Sequence, residues 1–478
     1  MTISRRSAIA AIGSSFTFFV PDIPLFGQTL RTRYSVDTPS GQAMLSKYAQ
    51  AVARMSASTM AQKDPRSWLF QWYIHALPKP KSSELARVYG SGSSTMKTIA
   101  SEIWQTCQPH FSGSDPNMFL PWHRMYLLTF ENIIRSVLSD ATFTLPYWDY
   151  TRPGYRSIPA MFRKASSSPS GSLYRANRRT GTVNINAGDP MDKGSSGNPY
   201  GLDAMNRTVY AGTTGFCTTL DKTLHGNVHT GIGDSTNMGK IPTAANDPIF
   251  WLHHCNIDRI WAGWNKLGGV NNYAAKNFTF ASPDPKGKRV VMSSTAVGDT
   301  VALGYQYDGL PAAPSSTATV SPLARSAGPR PLRSIARSER MTRLNRTETR
   351  IPLSIATNGL VSGSIAPSTS TERVYLVLTG LSANVEPGTL YDVFLGLPPS
   401  ATAQEKKARY LGTFSFFGTS GEHAHGGEAG PSFDVTDRLR QLRARNLLGS
   451  DISVTILPVG SSSSEAAPMV GTVELLRQ

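Results

Sequence analysis

Cysteine is scarce in this sequence. Only three occur in 478 residues, namely Cys107, Cys217 and Cys255. An odd and small number argues against a disulfide framework, and the chain has no C-x-x-C pair of the kind that binds zinc or carries out thiol redox chemistry. The sequence also lacks an apolar run long enough to cross a bilayer as a helix, so we expect no membrane partner. Hydrophobic residues make up 40% of the chain and charged residues 17%, which predicts a folded protein rather than a disordered one.

Acidic residues are few relative to basic ones. The chain has 32 Asp and Glu against 48 Lys and Arg, a formal net charge of +16. A charge of this size can indicate a nucleic-acid or anionic-surface partner. Part of the excess is local, however, because eight arginines and only two acids lie between Ala324 and Arg350. Since no nucleic-acid-binding motif accompanies the charge, we interpret this stretch as a solvated basic linker and predict no nucleic-acid partner.

The N-terminus combines paired arginines with an apolar segment. Arg5 and Arg6 precede an apolar run that ends at Val20, which resembles a twin-arginine export signal over residues 1–30. The alternative is an ordinary basic N-terminus followed by a tethered apolar segment, because a clear small-residue cleavage site is missing. We therefore expect export to the periplasm or beyond, and a cytoplasmic location if the segment is not a signal.

The hydrophobic pattern changes along the chain, which predicts two domains. Over 31–310 apolar residues recur at helical spacing, 311–350 has the Pro, Ser, Ala and Arg content of a linker, and 351–478 alternates with a period of two, as in a β-sandwich. The predicted helices are 41–56, 67–77, 121–138, 219–230 and 247–264, the last opened by Asp247-Pro248, with a long loop at 165–218. The predicted strands are 373–378, 390–395, 409–417, 452–457 and 469–475, interrupted by a short helix at 434–443.

Histidines stand in positions where an unpartnered imidazole would be costly. His75 lies in an apolar helix, His253 and His254 lie in the middle of another, and His225 and His229 share one helical face because they are four residues apart. Burying so many imidazoles is reasonable if a cation organises them. The nine histidines of the chain are His75, His110, His123, His225, His229, His253, His254, His423 and His425.

The residue types near these histidines restrict the metal. No E-x-x-H pair for a di-iron site occurs near the histidines of the apolar segments, and HGNVH (225–229) lacks the Glu of a zinc protease. Imidazole-only sites suit copper, zinc or nickel. Two sites with three histidines each would leave open positions for O2, and the absence of a protein anion keeps Cu(I) accessible.

Three segments resemble the tyrosinases, catechol oxidases and molluscan haemocyanins. FLPWHRMYLLTFE (119–131) and MGKIPTAANDPIFWLHHCNIDRIW (238–261) are similar to the two copper signatures, and LPYWDY (145–150) is similar to LPYWDW, with Tyr150 in place of Trp. The resemblance covers roughly 70–300 and implies a mainly α, four-helix-bundle domain with two copper ions, followed by the C-terminal β-sandwich. It implies that the first copper binds His75, His110 and His123, and that the second binds His225, His229 and His254.

The resemblance also implies roles for residues around the ligands. His253 is expected to be structural, and His110 is displaced, since the gap to His123 is thirteen residues where the family usually has nine. An ion pair between Asp247 and Arg259 is expected to steady the helix of His254. Phe250 is expected to pack on the His254 ring, Ile241 to gate the second copper, and Asp221 to supply an acid near Gly226, which replaces the Asn that many tyrosinases use to hold a water. Cys107 either forms a thioether with His110 or remains a free buried thiol.

The C-terminal part resembles the β domain that covers the copper site of plant-type polyphenol oxidases. Phe414, Phe416 and Phe417 are the candidates for covering it, because consecutive aromatics in a strand cannot all face its core. His423 and His425 are interpreted as part of a solvated loop, with a copper-capture site as the alternative.

The sequence therefore predicts a copper-dependent phenol oxidase that uses O2 and a phenolic or catecholic small molecule. A tyrosinase, a catechol oxidase and an o-aminophenol oxidase remain alternatives within this class. An O2 carrier is the alternative outside it, although such carriers are arrays of copper domains and this chain has one. The chain could also form a homo-oligomer.

Overall fold

A computed structural model of the chain divides into a helical part and a sheet-rich part, as the fold-class prediction required. No helix in the described part of the chain is both long enough and apolar enough to span a membrane. The structure describes residues 17–18, 30–111, 113–166, 169–233, 237–312, 331–355, 365–367, 369, 372–420, 429–448 and 452–478.

Helices dominate the described residues up to 312, and their starts follow local capping chemistry. The Thr38 side chain accepts from the Gly41 N–H ahead of Pro39, and the Ser67 side chain accepts from the Phe70 N–H. The helices are α1 (Pro39–Met55), α2 (Trp68–His75), α3 (Lys81–Tyr89), α4 (Thr95–Ile103), α5 (Phe119–Leu138), α6 (Phe216–Leu220), α7 (Gly226–Ile232), α8 (Ile241–Ala244) and α9 (Ile249–Lys266).

Five short strands accompany these helices. A parallel pair joins two segments far apart in the sequence, since Arg31–Arg33 pairs with Tyr305–Tyr307. The strands are β1 (Thr17–Phe18), β2 (Arg31–Arg33), β3 (Asn277–Ala281), β4 (Arg289–Ser293) and β5 (Tyr305–Tyr307). The sequence did not predict these strands, nor α3 and α4, because each is short and none carries a long periodic pattern.

The C-terminal part is a sandwich of a five-stranded and a four-stranded sheet, with strand orders β13-β10-β16-β6-β9 and β12-β11-β14-β8. Apolar side chains of both sheets, among them Leu376 and Val393, form one core. The strands are β6 (Arg333–Arg337), β7 (Thr342–Arg343), β8 (Thr349–Pro352), β9 (Ser354–Ile355), β10 (Val374–Thr379), β11 (Tyr391–Leu395), β12 (Tyr410–Phe414), β13 (Ser432–Asp434), β14 (Ser453–Pro458), β15 (Met469–Val470) and β16 (Thr472–Arg477), with helices α10 (Ala403–Arg409) and α11 (Thr436–Ala444).

The boundary of the predicted linker at 350 differs from the structure. Residues 333–350 belong to the sandwich, because β6 pairs with β16 and β8 pairs with β14. In β6 the side chains of Arg333 and Arg337 are exposed while Ile335 and Ala336 are buried. The high arginine content of this segment therefore predicted a linker, although the segment contains a strand with buried apolar residues. Residues 313–330 of the predicted linker, and nearly all of the predicted export signal, lie outside the described residues.

A buried network of charges holds the helical part together around β2. The Arg33 guanidinium donates to Glu131 of α5 at 3.0 and 2.9 Å and to Asp258 of α9 at 3.0 Å. Arg124 of α5 donates to the other oxygen of Asp258. Burial raises the pKa of Glu131, but the charge of Arg33 outweighs burial and the pKa ends below its usual value. The network fixes α5 and α9, the two longest helices near the histidines.

We expect Arg33→Ala to destabilise the protein by about 3–5 kcal/mol, because it removes the nearest cation from buried Glu131 and one of the two cations from buried Asp258. Chemical denaturation followed by circular dichroism measures the change. The control is Arg31→Ala, since Arg31 is exposed and donates to a backbone carbonyl at 3.3 Å; its expected effect is below about 1 kcal/mol. Equal effects of the two substitutions would contradict the role given to the network.

Candidate metal centre

The structure brings the three histidines predicted for the first copper together. His75 ends α2 and His123 lies in the first turns of α5, with their ring centroids 6.0 Å apart. His110 lies between these helices in the chain, and its ring is 6.2 Å from that of His75. Cys107 joins this group, since its Sγ lies 3.6 Å from Nε2 of His123. The displaced His110 therefore reaches the same place as its two partners.

The second group is formed by α7, the turn before it and α9. A π-helical turn, Asp221–His225, separates α6 from α7, and such turns are frequent at functional sites. Nε2 of His225 and Nε2 of His229 lie only 3.1 Å apart. One ring nitrogen of each of His225, His229, His253 and His254 lies within 4.8 Å of the others.

The two groups adjoin each other. The rings of His123 and His254 stack with centroids 4.2 Å apart and an interplanar angle of 6°. The rings of His110 and His225 are 6.0 Å apart. All six predicted ligands are thus part of one buried cluster.

Backbone carbonyls set the orientation of two of these rings. Because a carbonyl only accepts, Nδ1 of His123 donates to the Phe119 carbonyl at 2.8 Å, and Nδ1 of His229 donates to the Met238 carbonyl at 2.8 Å. Each ring therefore carries its proton on Nδ1 and directs the lone pair of Nε2 into the cluster. This is the arrangement by which outer hydrogen bonds prepare imidazoles for a metal.

Burial also keeps these imidazoles neutral. It lowers the pKa of His123 to about 3, and it lowers the pKa of His75, His110, His229 and His254 well below the usual value. Among the described residues, Nδ1 of His75, Nε2 of His110 and both nitrogens of His254 have no hydrogen-bond partner. Buried imidazole nitrogens in two groups of three, several of them without a hydrogen-bond partner, fit a pair of copper ions.

Comparison with known proteins agrees with this geometry. A family model of the common central domain of tyrosinase matches residues 65–211 and 196–267. Tyrosinase HcTyr1 of Hahella sp. (strain CCB-MM4) is 30% identical over 469 residues, which cover 90% of this chain and 96% of that protein. The chain belongs to the tyrosinase family.

Other similarities extend over both domains. Catechol oxidase B of Solanum tuberosum is 26% identical over 493 residues, covering 92% of this chain and 77% of that protein. The solved structure of latent apple tyrosinase superposes with a TM-score of 0.60 at 19% identity, covering 97% of this chain and 99% of that one, and so shares the fold. A further family model, a domain of unknown function (DUF7868), matches residues 335–478. This tyrosinase-family protein is therefore a copper-dependent oxidoreductase whose cofactor is two copper ions.

Asp221 lies beside the second group, as predicted for an acid. Its Oδ1 is 3.0 Å from Nδ1 of His225 and its Oδ2 is 3.0 Å from the Lys222 ammonium. Burial raises the pKa of Asp221, but Lys222 and His225 outweigh it and the pKa ends well below the usual value. The side chain is therefore a carboxylate. Asn227 lies in α7, directly after Gly226. Its side-chain amide points away from the second group and donates to the carbonyls of Pro199 and Thr413.

The predicted ion pair between Asp247 and Arg259 is wrong. Asp247 instead accepts two hydrogen bonds from Arg178, at 2.7 and 2.8 Å, while Arg259 pairs with Asp149 at 3.2 Å. Arg178 lies in the irregular stretch that the sequence presents as a loop, and its side chain is fully buried. A long-range partner from a loop carries no periodic signal, so the sequence did not reveal it. Asp247 still supports the start of α9, since it accepts from the Ile249 N–H.

Apolar side chains complete the centre where the sequence placed them. The Phe250 ring lies 4.2 Å from the His254 ring and 5.0 Å from the His75 ring. Ile241 is 3% exposed and packs with Ala76 and Phe417. Cys107 is a free, buried thiol in the structure, and a thioether to His110 stays a prediction. His423 and His425 lie outside the described residues.

A side chain of the β domain enters the centre. The Phe417 ring stacks on the His229 ring with centroids 4.1 Å apart and an interplanar angle of 8°, and its centroid is 5.8 Å from those of the His110 and His225 rings. Phe414 and Phe416 belong to the core of the sandwich instead. Of the three candidates, only Phe417 reaches the histidines, because β12 ends at Phe414 and the following chain leaves the sheet.

Substitution of the two neighbouring histidines of α9 tests the ligand assignment. We expect His254→Ala to lose about one copper per chain and all oxidation activity, and His253→Ala to retain both coppers. Metal analysis of the purified variants, with the wild type as reference, measures the copper content. The reverse result, with copper lost from His253→Ala and kept by His254→Ala, would contradict the assignment.

Proposed function

We propose that this protein oxidises o-diphenols to o-quinones with O2, and hydroxylates monophenols poorly. His75, His110 and His123 would hold one copper, and His225, His229 and His254 the other. When bound, the copper pair supplies the redox chemistry with O2. Each diphenol gives up two electrons and two protons, so two diphenols reduce one O2 to two waters. The two buried groups of three imidazoles carry this proposal.

The side chains around the ligands have distinct roles in this proposal. Phe250 and Ile241 form apolar walls, which suit a flat aromatic ring and exclude water. Asp221 keeps His225 oriented through the contact at 3.0 Å and places a carboxylate beside the second group. Gly226 presents no amide next to it, so no side chain at this position holds a water for deprotonating a monophenol. Diphenols, which need no such step, are the favoured substrates.

An o-aminophenol oxidase and an O2 carrier are the other functions compatible with the same histidines. Copper-loaded protein distinguishes them through oxygen consumption with L-DOPA, L-tyrosine and 2-aminophenol. The proposal expects the highest rate with L-DOPA. Absence of turnover with all three substrates, in the wild type and in a Phe417→Ala variant, would favour the carrier.

We expect Gly226→Asn to raise the ratio of L-tyrosine to L-DOPA oxidation by about tenfold, below the roughly 10²–10⁴-fold that a fully positioned general acid or base contributes. A Cβ at this position would lie 2.9 Å from Oγ of Ser415 in the β domain, so the serine must rotate aside. Gly226→Ala is the matched control, since it displaces Ser415 without adding an amide. The same ratio in both variants, at full copper content, would remove the argument from Gly226.

We also propose that the β domain keeps the intact chain latent. The two domains share polar contacts away from Phe417: Arg207 donates to the Ser432 carbonyl at 2.8 Å, and the Ser196 N–H donates to Asp392 at 2.7 Å. Phe417 occupies the face of His229 on which a substrate ring would lie. Substrate must therefore displace this ring.

Glu386 supports the segment that follows Phe417. Its carboxyl group accepts from the Gly418 N–H at 3.1 Å and from the Ser420 hydroxyl at 2.8 Å. Burial raises the pKa of Glu386 to about 8. A buried carboxyl group with two donors from one turn holds that turn in place, and with it the position of Phe417.

We expect Phe417→Ala to lower the KM for a bulky diphenol by about tenfold or more, because burial of a phenylalanine ring contributes about 1.5–3 kcal/mol to closing the site. Steady-state kinetics with 4-tert-butylcatechol measures the change, and copper content should stay the same. Phe416→Leu is the control, because that ring packs inside the sandwich and a substitution of similar volume is tolerated. Identical kinetics of Phe417→Ala and the wild type would show that the ring is not a lid.

A further inference from the structure

His253 lies close enough to the second group to be an alternative copper ligand. A ring nitrogen of His253 lies within 4.8 Å of the ligand nitrogens of His225, His229 and His254. Its ring stacks on that of His225 at 5.4 Å and 11°, and meets that of His229 at 5.0 Å. The His253 ring is fully buried, which disfavours its charged form. By proximity alone it could compete with His254 for the second copper.

The side chain that engages His253 is Tyr150, which stands where the family segment has Trp. The Tyr150 hydroxyl lies 2.8 Å from Nδ1 of His253. Both residues are buried. Nε2, the other ring nitrogen, has no hydrogen-bond partner among the described residues. The tautomer of His253 therefore depends on the direction of this single hydrogen bond.

Asn256 indicates that direction. Its Oδ1 accepts from the Arg259 guanidinium at 3.1 Å, and its amide nitrogen, which has no hydrogen-bond partner among the described residues, can only donate. Burial raises the pKa of the Tyr150 phenol well above the usual value, so the hydroxyl keeps its proton. The acceptor at hydrogen-bond distance from this hydroxyl is Nδ1 of His253, at 2.8 Å.

We infer that Tyr150 is a positioning residue that keeps His253 from binding copper. By donating to Nδ1 it places the ring proton on Nε2, and an N–H nitrogen has no lone pair for a metal. His254 is thereby left as the α9 ligand. Tryptophan at the same position would also carry a donor, its indole N–H, so the substitution in this chain preserves the chemistry. This inference rests on the copper ligands proposed above.

Tyr150→Phe removes the donor and keeps the ring, and Tyr150→Trp restores a donor. The full-length chain is loaded with copper, oxidised, and examined for copper per chain and for its electron paramagnetic resonance signal. A coupled Cu(II) pair gives no signal, whereas a copper displaced from the pair does. We expect two coppers in all three proteins, a silent wild type and Tyr150→Trp, and a signal at least several-fold larger in Tyr150→Phe.

A second variant tests the same inference through His253 itself. In the double variant Tyr150→Phe, His253→Leu the competing imidazole is absent, so the signal should fall back to that of the wild type. Thermal melts establish that each variant is folded. A silent Tyr150→Phe, or a signal that persists in the double variant, would overturn the inference. A wild type that fails to bind two coppers would instead overturn the proposed function, so the two failures are distinguishable.

Discussion

Neutral imidazoles buried without partners are the constraint around which this protein is built. Nitrogens such as those of His254 are withdrawn from water and find no hydrogen bond among the described residues, and burial depresses their pKa. Such nitrogens are costly unless a metal satisfies them. Holding them requires stiff helices, and the network of Arg33, Glu131 and Asp258 ties together α5 and α9, which carry His123 and His254. The buried charges of the core therefore help to hold the histidines of the metal centre in position.

The β domain belongs to the same arrangement, because it fills the open face of the second group. Phe417 covers His229, and Ser415 lies against Gly226, whose missing side chain makes room for it. An asparagine at 226 would meet the β domain as well as serve monophenol chemistry. Latency and substrate preference are therefore connected through one residue in the proposed function.

Much of this could be predicted from the sequence where the signal is local. The structure places His225 and His229 side by side, as their spacing predicted, and His75 in an apolar helix. It also begins α9 at Ile249, directly after Asp247-Pro248. Features that depend on distant partners could not be predicted. The pairing of Asp247 with Arg178 joins a loop to a helix start, and no periodicity encodes it. The strand pattern predicted three phenylalanines as candidates for covering the copper site. Which of them does so, Phe417, depends on where β12 ends, at Phe414, and the sequence pattern does not determine that point.

The central claim is that two coppers occupy the two histidine groups beneath Phe417. Anomalous X-ray scattering at the copper edge, from crystals of the copper-loaded full-length chain, tests it most directly. The account predicts two strong peaks, one among His75, His110 and His123 and one among His225, His229 and His254, with the Phe417 ring over the second. A single peak, or copper bound through His253 in place of His254, would contradict it.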